Sequence, residues 1–118
     1  MPANILFDLG TITMTDDLIA TIAGTAAVEN YGIVAMNRNS ATDALLQLVG
    51  SENLKKGVSV TVLSDGITVD IDLHVTVMYG VSLNAVAQNA VSNVKYRVEE
   101  LTGLHVRNVN IFVEAIKV

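Results

Sequence analysis

Two stretches of strict alternation dominate the hydrophobic pattern. Val58, Val60 and Val62 alternate with Ser59 and Thr61. After Ser64-Asp65-Gly66, the residues Ile67, Val69, Ile71, Leu73, Val75 and Val77 alternate with Thr68, Asp70, Asp72, His74 and Thr76. A period of two over this length predicts strands with one buried face and one polar face. Ser64-Asp65-Gly66 has turn chemistry, so the two strands are expected to form an antiparallel hairpin.

The rest of the chain alternates between extended and helical patterns. Ile5, Phe7 and Leu9 alternate with Leu6 and Asp8, Gly10 interrupts the run, and Thr11 to Met14 resumes it. This reads as one interrupted extended segment. Thr15 or Asp16 is placed to cap a helix running to about Asn30, with Ile19, Ile22, Ala23, Ala26 and Ala27 as its apolar stripe. Asp16 and Asp17 suit the positive end of its dipole. Tyr31-Gly32 ends the helix and Ile33 to Met36 is a short apolar piece. Ser40 and Asp43 have capping-box spacing before a short helix bearing Leu45, Leu48 and Val49, with Gly50 at its end. Ser82 caps a long helix with Leu83, Val86, Ala87, Ala90, Val91, Val94, Val98 and Leu101 on one stripe, ended by Thr102-Gly103. A last strand runs from about Val106 to Val118. Val109, Ile111, Val113 and Ala115 are expected on one face, and Phe112, Ile116 and Val118 on the other.

The expected order is β-α-(short α)-β-β-α-β. Each helix has one apolar stripe and the hairpin one apolar face. The economical arrangement is an α+β fold, a small, mostly antiparallel sheet with helices packed on one face. No linker or repeat divides residues 1–118, so a single domain is expected.

Composition narrows the function. Among 118 residues, 51% are apolar and 16% charged, against about 25% charged in an average domain. Polar cover is short, which predicts that some apolar surface is buried against another chain. The formal net charge is −5 with seven basic residues, and Lys55-Lys56 is the only adjacent basic pair. No basic stripe is present to neutralise phosphates, so neither nucleic acid nor an anionic membrane surface is an expected partner. The absence of cysteine excludes disulfides, thiolate metal sites and thiol chemistry. Met1-Pro2-Ala3-Asn4 lacks the features of a signal peptide. Leu18 to Val28 is far shorter than the roughly 20 residues of a membrane span. A cytoplasmic location without direct membrane insertion is the expectation.

Candidate chemistry is sparse. Asp70, Asp72 and His74 share the polar face of one strand, about 6.5–7 Å apart along it, and carboxylate and imidazole are metal-ligand types. Side chains along one straight strand converge poorly on an ion, and alternation alone explains them as a solvated face. His105 has no evident partner. No serine lies in a nucleophile elbow, and the glycines match no phosphate-binding loop. Tyr79, at a strand end, reads as part of the core or as a stacking surface. Phe112, Ile116 and Val118 are either covered by a helix of the same chain or form an interface with another subunit or partner. No catalytic residue and no cofactor is expected.

The order of short motifs resembles the bacterial alkaline shock protein, or envelope stress response, family. The N-terminal half carries Gly10-Thr-Ile-Thr-Met14, Leu18-Ile-Ala-Thr-Ile-Ala-Gly24, Ala26-Ala27 and Tyr31-Gly-Ile-Val-Ala-Met36. The C-terminal half carries Lys56-Gly57-Val58, Asp70-Ile-Asp72, Val77-Met-Tyr-Gly80, Asn93-Val94-Lys95, Thr102-Gly-Leu104 and Val109-Asn-Ile111. The resemblance covers nearly the whole chain and is to a short member without charged tails. It implies a non-enzymatic, self-associating cytoplasmic protein linked to envelope stress and found near the membrane through a protein partner. Because short members are often encoded beside a fatty-acid kinase of the dihydroxyacetone-kinase type, it also implies an alternative, an accessory subunit of that lipid-metabolic enzyme. A metal-dependent enzyme using Asp70, Asp72 and His74 is the remote third reading.

Overall fold

The computed structural model describes residues 2–36 and 57–118, with the side chains of Ala35 and Met36 outside the description. The short helix expected after Ser40 lies outside the described residues. Among the described residues the elements are β1 (Ala3–Phe7), β2 (Gly10–Met14), α1 (Asp16–Val28), β3 (Ile33–Met36), β4 (Val58–Val62), β5 (Thr68–Met78), α2 (Leu83–Thr102) and β6 (His105–Lys117). The fold is α+β, as the pattern predicts.

The long alternating strand is the centre of the molecule. Along one edge of β5, β4 pairs antiparallel with Val69 to Leu73 and β3 antiparallel with Val75 to Val77. β6 runs parallel along the other edge, from Thr68↔His105 to Met78↔Lys117. Helix α2 is the crossover that a parallel connection requires. Val69, Ile71, Leu73, Val75 and Val77 are fully buried. Burial of each such side chain contributes about 1.5–3 kcal/mol.

Both helices lie over this apolar face. Thr15 caps α1, its hydroxyl accepting from the Leu18 amide at 3.2 Å, and Ile19, Ala23, Ala26 and Ala27 enter the core. Ser82 caps α2, accepting from the Ala85 amide at 3.3 Å, and Gly103 ends it at φ 75°. The stripe of α2 is narrower than the periodicity suggests. Val86, Ala90, Val94 and Val98, four residues apart, are buried, whereas Leu83 and Leu101 at the ends are exposed.

The two helices are tied by a buried polar link. The Asn30 amide donates to the Ala26 and Ala27 carbonyls at 2.9 and 3.2 Å, satisfying groups that the helix end leaves open. Its own oxygen accepts from Asn93 on α2. Next to it, Gly32 has φ 98°, and a Cβ there would lie 2.7 Å from Val86 Cγ2. Both the left-handed backbone and the close approach of α2 require glycine.

The first extended segment is not one strand. β1 and β2 fold back as a separate antiparallel hairpin, from Ala3↔Met14 at its root to Phe7↔Gly10 at its tip. Ala3 and Met14 are buried, and the Asn4 amide donates to the Gly66 carbonyl at 3.0 Å. The root thus docks beside the β4–β5 turn while the tip projects away.

Candidate functional site

β6 organises both surfaces that the sequence singles out. The register of β6 with β5 skips two residues: Arg107, between the pairs Val69↔Val106 and Asp70↔Asn108, and Glu114, between Val75↔Val113 and Thr76↔Ala115. Each is the extra residue of a β-bulge, a feature that re-aims side chains and shifts the alternation.

On the polar face, Asp70, Asp72 and His74 each engage a different residue of β6. Arg107 donates to both carboxylate oxygens of Asp70, Nε at 3.1 Å and Nη2 at 2.5 Å. The Arg107 hydrogen bonds hold the Asp70 carboxyl below its ordinary range and raise Arg107 further. The Asn110 amide donates to Asp72 at 2.9 Å. His74 Nδ1 lies 2.7 Å from a Glu114 carboxylate oxygen, and its ring stacks on Phe112 with centroids 4.8 Å apart and planes at 13°. Spread along the strand and drawn toward separate partners, the three do not converge. No cluster of three or more metal-ligating side chains occurs among the described residues.

His105 has a partner that the sequence does not reveal. Its Nδ1 is 3.5 Å from Glu99, whose carboxylate also accepts from the Val106 amide at 2.9 Å. In the turn, Asp65 accepts from Thr68 Oγ1 at 2.6 Å and from the Ile67 and Thr68 amides, and these bonds lower its pKa, the Thr68 hydroxyl most. A cleft of about 480 Å³ between the hairpin root and this turn is lined by Ile5, Ile67, Asn4, Asp65 and His105, among others. Asn4 accepts from Thr13 at 2.7 Å, so each of the three polar side chains has a partner within the chain.

The apolar residues of β6 divide differently from the expected pattern. Phe112 lies on the polar face with His74. Past the bulge at Glu114 the alternation changes phase, so Ile116 comes into register with buried Val77, on the helix side. Phe112 and Ile116 therefore occupy opposite faces of the sheet. Val118 follows the last pair and is fully exposed.

No helix of the same chain covers this end among the described residues. Val75 and Val77 are fully buried, yet their neighbours in register, Val113 and Ile116, are 37% and 50% exposed. Tyr79, expected as partial core, is instead 70% exposed, and its amide donates to the Lys117 carbonyl at 3.0 Å. Val113, Ile116, Val118, Met78 and Tyr79 are thus all exposed near this end of the sheet, Val113 and Ile116 on its helix side and Met78 on the other. The hairpin tip is a second such surface, with Leu6, Phe7 and Leu9 all exposed.

The described residues thus form an α+β fold whose candidate polar side chains have partners within the chain and whose sheet end and hairpin tip expose apolar side chains. By sequence comparison the chain belongs to the alkaline shock protein 23 family, of cell envelope-related function, whose model matches residues 6–118. It is similar to the uncharacterized protein YloU of Bacillus subtilis, 39% identical over 110 residues, covering 92% of this chain and 90% of that one. The uncharacterized protein Spy1614 of Streptococcus pyogenes is also 39% identical over 110 residues, covering 92% and 89%. The uncharacterized protein YqhY of B. subtilis is 34% identical over 109 residues, covering 92% and 78%. No solved structure matches the chain. No helix among the described residues is long and apolar enough to cross a membrane.

Proposed function

We propose that this protein is a non-catalytic, self-associating cytoplasmic module that serves its envelope-related role by contacting protein surfaces. The observation that carries the proposal is the uncovered helix-side face of β6, where Val113 and Ile116 lie exposed beside buried Val75 and Val77. Apolar side chains on the core side of a sheet become exposed at an edge when the covering layer is supplied by another molecule. The low charged fraction, 16%, points the same way. The polar face supports the non-catalytic part, since Asp70, Asp72 and His74 are each committed to a residue of β6. Size-exclusion chromatography with light scattering tests the proposal. The mass is expected to exceed one chain and to rise with concentration; a monomer mass throughout the micromolar range overturns it.

A further inference from the structure

The outer edge of β6 carries an apolar row of its own. The Tyr79 amide donates to the Lys117 carbonyl of β6, whereas the His74 and Met78 amides donate the other way, to Gly57 and Gly32. Odd-numbered residues of β5 therefore direct their backbone groups to β6. In a parallel ladder only one residue of each pair faces the other strand. The partners of Val69, Ile71, Leu73, Val75 and Val77 thus turn away from β5: Val106, Val109, Ile111, Val113 and Ile116. The Val106 amide, which donates to Glu99 at 2.9 Å, has this outward direction. Among the described residues, no strand pairs with the outer edge of β6.

Between the bulges at Arg107 and Glu114, residues 108–113 pair with β5 without a shift. On this stretch Val109, Ile111 and Val113 offer N–H and C=O groups outward. Their side chains lie on the helix side, where Val109 and Ile111 are only partly buried and Val113 is exposed. Water satisfies the backbone groups but not these side chains. An added strand serves both, since its backbone extends the ladder and every second side chain covers the row. Carboxylates bound the stretch, Glu99 beside Val106 and Glu114 after Val113. Of the cations on β6, Arg107 is engaged by Asp70 and Lys117 lies beyond Glu114, in a chain of net charge −5. We infer that β6 takes up an extended peptide segment of a partner protein along residues 108–113, apolar at every second position and basic at its ends. This rests on the reading above that the protein works through contacts with other proteins. It names the form of such a partner and does not require self-association.

A short labelled peptide tests this. It is blocked at both termini, alternates valine with threonine and has lysine at each end. Fluorescence anisotropy reads its binding to the parent, and light scattering reads the parent's own assembly. The parent is expected to bind it. A peptide of the same composition with its valines contiguous is expected to bind at least about tenfold more weakly. Methylating the backbone nitrogens of the alternate set that faces β6 is expected to weaken binding at least about tenfold, and methylating the other set to spare it. Ile111→Pro deletes an outward donor where an edge strand tolerates proline. It is expected to lose binding while keeping the parent's circular dichroism. In the complex, the Val109, Ile111 and Val113 amides are expected to exchange with solvent more slowly, and Asn110 and Phe112, which face β5, to stay unchanged. No binding by the parent overturns the inference. So does equal binding of the contiguous peptide, or an equal effect of the two methylations. A parent that assembles yet binds no peptide overturns this inference alone; if Ile111→Pro also abolishes that assembly, the edge belongs to a second copy. A parent that binds the peptide but stays monomeric supports the added strand and overturns the proposed self-association.

Discussion

Glu114 is skipped by the register of β6 with β5, yet its carboxylate lies 2.7 Å from His74 Nδ1 on that strand. The bulge that removes Glu114 from the ladder also moves Ile116 to the other side of the sheet. One local irregularity therefore shapes both surfaces of β6. It gives His74 a partner on the polar face and sends an apolar side chain to the uncovered helix-side end. Arg107 repeats the arrangement at the start of the strand, where a bulged residue engages Asp70.

This geometry predicts unequal effects of charging the two apolar residues. Phe112 lies against His74 on the polar face, whereas Ile116 lies in the exposed apolar end. Ile116→Lys is expected to weaken self-association at least about tenfold, the cost of burying an uncompensated charge at a contact. Phe112→Lys is expected to lose its stacking on His74, about 0.5–1.5 kcal/mol of stability, with a smaller effect on assembly. Light scattering and urea unfolding of both variants check the contrast.

Acid is expected to weaken the fold partly through Asp70. Its carboxyl sits below the ordinary value of 3.8 because Arg107 hydrogen-bonds the charged form. A carboxylate with a lowered folded pKa contributes stability above its unfolded value and loses it as pH falls through the folded value. Asp70→Asn is expected to be less stable than the parent at neutral pH, with the gap closing below 3.8. Urea midpoints of the two proteins across that range decide it; a gap constant with pH would disprove the linkage.

Gly32→Ala carries two costs. A non-glycine residue at φ 98° is strained, by about 1–2 kcal/mol, and its methyl would stand 2.7 Å from Val86. Overpacking typically adds about 1–3 kcal/mol. The expected loss is about 2–5 kcal/mol in chemical denaturation, and a loss below about 1 kcal/mol would contradict the close helix approach.

Asn30→Ala removes the donor to Ala26 and Ala27 and the acceptor for Asn93. The expected cost is about 1–3 kcal/mol, because buried groups lose their partners. Asn30→Asp should not rescue it, since a carboxylate would face the two carbonyl oxygens. Urea unfolding of both variants checks this.

Much of the fold follows from patterns that local sequence can carry. The alternation from Val69 to Val77 marks the central strand, and Thr15, Ser82 and Gly103 mark helix ends through chemistry within a few residues. The hairpin of β1 and β2 is harder to foresee. Its loop, Asp8-Leu9, has none of the Asn-Gly or Asp-Gly character of tight reversals, so the break at Gly10 resembles an interruption of one strand. The bulges are hidden for a different reason. A bulge is defined against a partner strand, and the parallel partner of β6 is separated from it by a whole helix. Counting by twos from Val109 therefore sets Phe112, Ile116 and Val118 apart from that face, and a one-residue shift at Glu114 divides them. The partners of Asp70, Asp72 and His74 depend on the same register, so the polar triplet is visible in sequence while its engagement is not.

The central claim is that the uncovered end of β6 holds copies of this protein together. Sedimentation velocity of the parent beside Ile116→Lys, over matched concentrations, tests it most directly. The account predicts a parent whose sedimentation coefficient rises with concentration and a variant that stays a folded monomer over the same range. A parent that never exceeds a monomer, or a variant that assembles as the parent does, would contradict it.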